Sequence, residues 1–184
     1  MLAYEILKLA CQFCDKESLG DKIKNGTLEG LTDDEKEEAR ELLDCLNLVQ
    51  DELACEYTPL LAEQKVYFQD YKFLISSLER DLVKVLKVKD KLGRSVKFKV
   101  LPNQLIAFIK DGTIVYSYHP QKLDYATALE INVPARIIAY GVAREYFLKQ
   151  GLSDDADLWE MRFKDSLKIL VSKHHAKIKE RGWL

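Results

Sequence analysis

The sequence has no long hydrophobic run. No stretch approaches the roughly 18–20 consecutive apolar residues that a membrane-crossing helix needs. In "ARIIAYGVAREYF" the apolar segment from Ile137 to Ala143 stops at Arg144. The opening "MLAYEILKLACQF" has no basic start, and Glu5 and Lys8 break its apolar run, so no secretory signal and no membrane partner are expected. Also missing are a Gly-rich phosphate loop, Gly-x-Ser-x-Gly, His-Glu-x-x-His and EF-hand spacing. Nothing in the chain therefore argues for nucleotide hydrolysis, serine-type acyl transfer, a zinc protease or a calcium switch. The expectation is a protein that is not an enzyme and carries no cofactor.

Histidine is scarce, with three residues. His119 stands alone before Pro120, a position read as structural. His174 and His175 are adjacent, and neighbours on a helix point about 100° apart, so they make poor joint ligands. The four cysteines are Cys11, Cys14, Cys45 and Cys55. Cys11-x-x-Cys14 invites a zinc or redox reading, but no second close pair or matching histidine accompanies it. All four fall on apolar helix faces, where a free thiol packs as a small hydrophobe. No metal site is expected.

What is present is a globular composition. Of 184 residues, 47% are apolar and 32% charged, enough for one good core and read here as a single domain. The net charge of −2 conceals segregation. Residues 1–65 carry net −9, residues 66–100 net +5, residues 101–160 net −3 and residues 161–184 net +5. Such asymmetry can steer head-to-tail contact between copies or turn a basic surface toward nucleic acid.

Helical spacing runs from Leu2 to about Asp15, with Leu2, Ile6, Leu9, Ala10 and Phe13 on one face. "LGDKIKNGTLEGLT" reads as a connection. Thr32-x-x-Glu35 is a capping box opening a long helix, with Ala39, Leu42, Leu43, Leu46, Val49, Leu53 and Tyr57 at helical spacing and Pro59 ending it. The period then falls to two. "LVKVLKVKD" and "RSVKFKVL" alternate apolar residues with lysine around a "KDKLGR" hairpin loop, and Asp111-Gly112 reads as a tight turn. About four antiparallel strands are expected between Leu82 and Tyr118, with one or two more between Lys65 and Ile75. One sheet face would be apolar and the other would display Lys84, Lys87, Lys97 and Lys99. A helical pair follows, from Asn132 onward, turning at Gly151, with Ser153 as N-cap of the last helix. The expected class is α+β: N-terminal helices in residues 1–64, an inserted β meander in 65–120, and a C-terminal helical pair with a basic tail in 132–184.

Two surfaces are candidates for subunit or DNA-backbone contact. One is the lysine face; the other is the tail with Lys173, Lys177, Lys179 and Arg181. Single-strand recognition would also want aromatic side chains beside the lysines, and Phe98 lies on the face opposite Lys97 and Lys99. A nucleic-acid-binding module using this face is the alternative reading.

"ALEINVPARIIAYGVAREYFLKQG" followed by "DADLWEMRFKDSL" resembles the C-terminal helical pair of the head–tail connector (adaptor) proteins of tailed bacteriophages. The matching residues are Pro134, Ala139, Gly141, Glu145, Tyr146, Gly151, Ala156, Trp159 and Phe163. "LLDCLNLVQDELACEYTPL" and "SVKFKVLPNQLIAFIKDGTIVYSYHP" resemble the preceding helix and β meander, so the likeness covers about residues 32–170. It implies a structural protein of the virion neck, forming a ring between portal and tail proteins around the DNA channel. It further implies localisation in the bacterial host cytoplasm during assembly. Ala135, Ala139 and Ala143 with Gly141 form a small-residue ridge, expected to receive the stripe Trp159–Phe163–Leu167.

Overall fold

A computed structural model describes residues 1–23 and 27–175. The fold class is α+β, with helices before and after an antiparallel β insert. Where the sequence was read as one domain, the chain groups into two compact units. The helical unit joins Met1–Gln50 to Lys122–Leu184, and the β unit is Asp51–Gln121.

The helical unit contains α1 (Ala3–Phe13), α2 (Glu17–Lys22), α3 (Asp33–Glu52) except its last two residues, which belong to the β unit, α4 (Ala135–Lys149) and α5 (Ser153–His175). The capping box forms as read: Glu35 N–H donates to Thr32 Oγ1 at 3.3 Å, and Thr32 N–H donates to the Glu35 carboxylate at 3.0 Å. The segment read as a plain connection holds α2. It packs on α1 through Gly20, where a Cβ would stand 2.9 Å from Cys11 Cβ. The buried face of α1 is Ala3, Ile6, Leu7, Ala10 and Cys11, turned slightly from the expected one. Phe13 joins a ring cluster with Trp159 (centroids 4.9 Å) and Tyr140 (5.2 Å). The N-terminal helix is thus part of the core.

Helix α4 is the centre of this unit. Its low amphipathicity follows from packing on several sides at once. Tyr140 meets Phe13 of α1, Tyr146 donates to Glu38 of α3 at 2.8 Å, and Gly141 lies between Val49 of α3 and Phe163 of α5. The turn to α5 is a Schellman motif. Leu152 N–H donates to Phe147 C=O and Gly151 N–H to Leu148 C=O, with Gly151 at φ +73°.

The β unit has seven strands in two antiparallel sheets among the described residues, more than the four to six expected. They are β1 (Leu60–Tyr67), β2 (Lys72–Leu74), β3 (Leu82–Asp90), β4 (Ser95–Val96), β5 (Phe98–Leu101), β6 (Gln104–Ala107) and β7 (Asp111–Tyr118). The sheets run β1-β7-β3-β4 and β2-β6-β5. Val66, Val85, Val88, Ile114 and Tyr116 of the first sheet pack with Leu105, Ala107, Phe73 and Phe98 of the second in one core. The hairpin loop is closed as read: Asp90 Oδ1 accepts the N–H groups of Leu92 and Arg94, both at 2.9 Å. Asp111-Gly112 is not a turn. Both residues lie in β7, opposite Tyr67 and Val66. Gly112 is needed for close approach, since a Cβ there would stand 2.5 Å from Lys89 C=O and from Ile109 Cδ1.

Candidate functional site

The lysines read as one face do not form one. Two bulges in β3 take up Val83 and Leu86, which places Lys84 opposite Ser117 and Lys87 opposite Val115. Both therefore lie on the outer face of the four-stranded sheet, beside the buried Ser117 and Val115. Lys97 belongs to no strand and sits at the break between β4 and β5, where the chain leaves one sheet for the other. Lys99 pairs with Ile106 in the three-stranded sheet, and the alternation that turns Phe98 into the core turns Lys99 outward. Because the inner faces of the two sheets share one core, Lys84 and Lys87 diverge from Lys99. Nearby charge is also partly satisfied: Lys89 pairs with Glu63 at 2.8 Å and Lys91 with Asp111 at 2.9 Å. Lys173 falls in the last turns of α5, and Lys177, Lys179 and Arg181 lie outside the described residues.

The residues that carried the family likeness have architectural positions. Pro134 precedes the first turn of α4, Gly151 makes the turn to α5, and Ala139, Gly141, Tyr146, Trp159 and Phe163 are buried in the helical unit. Glu145 accepts from Arg144 at 2.6 Å. The same guanidinium donates to Glu160 at 2.8 Å and lies 5.0 Å from the centre of the Phe163 ring. Arg144 looked like the end of an apolar run in the sequence. It is a buried ion-pair centre.

Burial pushes the thiols of Cys11 and Cys14 up to about 12, and that of Cys45 up to about 11. A thiol in that state is neither a nucleophile nor a ready metal ligand. In the native protein at mildly alkaline pH, a disulfide-exchange reagent should titrate Cys55 alone. The other three should react only on unfolding. Rapid native reaction of a second thiol would show that one of the three buried cysteines is open.

A cluster in the β unit was missed by the sequence reading. Asp51 and Cys55 stand four residues apart where α3 passes into a π-helical turn, Leu53–Tyr57. That turn is closed by Thr58, whose N–H and Oγ1 both donate to Leu53 C=O, at 2.7 and 3.2 Å. π turns of this kind recur at functional sites. His119 directly follows β7, and its N–H donates to Asp81 C=O at 2.9 Å. The strand end brings His119 Nδ1 to 2.6 Å from Asp51 Oδ1 and 3.8 Å from Cys55 Sγ. The His119 and Asp51 side chains are 42% and 50% exposed, so solvent reaches the cluster. The arrangement does not make a cysteine nucleophile. Such a relay needs the carboxylate and the thiol on opposite ring nitrogens, whereas here both meet Nδ1. The Cys55 thiol is moreover raised, by burial first and then by the Asp51 and Glu56 carboxylates. The only pattern visible in the sequence is Asp51-x-x-x-Cys55; nothing local links it to His119, 64 residues away from Cys55.

Large apolar side chains are exposed on each unit. On α5, Leu158, Met161 and Ile169 point away from the buried stripe Ala156–Trp159–Phe163–Leu167. In the β unit, Phe108 is 81% exposed and its ring lies 5.6 Å from that of the exposed Tyr71. Tyr71 and Asp70 both hold positive φ, at +64° and +49°, in the turn before β2. No described helix is long and apolar enough to cross a membrane. Compared with models of known protein families and with curated proteins, the chain has no match.

Proposed function

We propose that the chain is a non-enzymatic assembly protein of the phage head–tail adaptor kind, forming a ring of identical copies between portal and tail around the DNA channel. The observation that carries the reading is the outward apolar side chains on each unit, Leu158 and Met161 one turn apart on α5 and Tyr71–Phe108 in the β unit. Apolar side chains exposed in groups mark surfaces that another protein covers. Two unlike patches suit a heterologous contact, in which one face of a copy meets a different face of the next and the series closes into a ring. The likeness of residues 32–170 to phage adaptors names the assembly. The nucleic-acid reading has less support, because the lysines that motivated it diverge onto two sheets.

Phe108→Ser and Met161→Glu change exposed positions, so the isolated chain should keep its unfolding free energy within about 0.5 kcal/mol. Each variant should nevertheless fail to enter the particle. Cryo-EM of the tailed particle should place the wild-type chain at the neck. Its absence there, or undiminished incorporation of both variants, would overturn the proposal.

A further inference from the structure

We propose that Asp51, Cys55 and His119 form a binding site for a divalent transition-metal ion of the zinc class. The ligand atoms of the three residues lie within 4.8 Å of one another. In a tetrahedral site with bonds of about 2.0–2.3 Å, ligand atoms stand about 3.3–3.6 Å apart. The Nδ1–Sγ separation of 3.8 Å is close to that spacing. The Nδ1–Oδ1 pair must open from its present 2.6 Å as the ion takes the place of the shared proton. One thiolate, one imidazole and one carboxylate form a donor set that suits zinc or cobalt and not magnesium or calcium. Three protein ligands leave the fourth position to water, and the half-exposed side chains give it access.

Binding forms one bond each from Sγ, Nδ1 and Oδ1 to the ion and displaces water from it. The Cys55 thiol gives its proton to solvent, and any proton between Nδ1 and Oδ1 leaves the same way or moves to Nε2, so that Nδ1 is free to bind the ion. Affinity therefore rises with pH across the neutral range. The ion would tie the end of α3 and the π turn to the residue that follows β7.

The test is a cobalt(II) titration of the reduced, chelator-stripped full-length chain. A near-ultraviolet thiolate-to-cobalt band should grow to saturation at one ion per chain, and zinc should abolish it. Cys55→Ser should remove the band. His119→Gln and Asp51→Asn should weaken binding by at least about tenfold, while Cys14→Ser should leave it intact. In the wild-type chain, zinc should also protect Cys55 from a thiol reagent, a readout that needs no variant to fold. No band at sub-millimolar cobalt, a band that persists in Cys55→Ser, or unprotected Cys55 at saturating zinc would overturn the site. Neither result bears on particle assembly, so this inference and the adaptor reading stand or fall separately.

Discussion

Gly141→Leu is expected to destabilise the helical unit by about 3 kcal/mol, the upper end of the usual cost of overpacking. A Cβ at this position would already stand 2.7 Å from Val49 Cγ1 and 3.1 Å from Phe163 Cε2. Neither neighbour can retreat easily. Val49 is β-branched and held to one preferred rotamer in its helix, and both side chains are fully buried. Leucine adds three further carbons at a point where α3, α4 and α5 meet. The fall in Tm should be about 6–12 °C for a chain of this size. Gly141→Ala should show a smaller loss of the same origin. Combining it with Val49→Ala should recover part of that loss, since the second change vacates the space the first one needs. A Gly141→Leu protein with unchanged thermal and urea midpoints would show that the three helices do not meet tightly there.

Arg144→Met should cost about 2–3 kcal/mol near neutral pH, below the ~3–5 kcal/mol typical of breaking a fully buried pair. The discount reflects the partial exposure of Glu145 and Glu160, whose side chains are 23% and 28% accessible. Methionine keeps contact with Phe163 but leaves two carboxylates without their shared guanidinium. Lysine should not restore the loss, because a single ammonium cannot bridge both carboxylates and lie flat on the ring. The pH dependence separates this from simple loss of packing. Burial pushes the Glu160 carboxyl up, but hydrogen bonds from Arg144 and Lys164 outweigh it and hold it below the usual range. A depressed folded-state value gives stability that is present above the unfolded value near 4.3 and lost as pH falls through the folded one. Without Arg144 the upward push of burial is less opposed, and protonating Glu160 then relieves the site. The gap between wild type and variant should therefore narrow from pH 7 to pH 4 in urea titrations. A gap independent of pH would mean that Arg144 acts through packing alone.

Both effects sit on one helix, and the sequence already pointed to it. An apolar stretch too short to span a membrane, with alanines four apart and a glycine between them, reads as a helix that others approach closely, and Gly141 bears this out. Local chemistry was equally readable where a single segment decides the outcome. Thr32 and Glu35 close their capping box, Asp90 closes its hairpin, and Gly151 takes the positive φ that ends α4. Each rests on hydrogen bonds between residues at most a few positions apart, so chain order alone determines the partners.

Other features depended on which distant segments met. Apolar and lysine residues alternate without interruption through "SVKFKV", so nothing in the pattern marks the break at Lys97 where the chain changes sheets. The bulges at Val83 and Leu86 restore the facing of Lys84 and Lys87 only relative to β7, a strand almost thirty residues away. Gly112 looked like a turn residue because glycine after aspartate often is one. Its real constraint is the Lys89 backbone on the neighbouring strand. The meeting of Asp51, Cys55 and His119 needs the end of one helix, with the π turn that follows it, to coincide with the residue just after a strand. By itself the sequence determined the class of fold, the order of helices, β insert and helical pair, the main helix boundaries and the small-residue centre of the helical unit, because periodicity and capping are local. Tertiary structure alone decided the division of the lysines, the pairing of Arg144 and the Asp51–Cys55–His119 cluster, because each depends on contacts between segments whose approach no local pattern encodes.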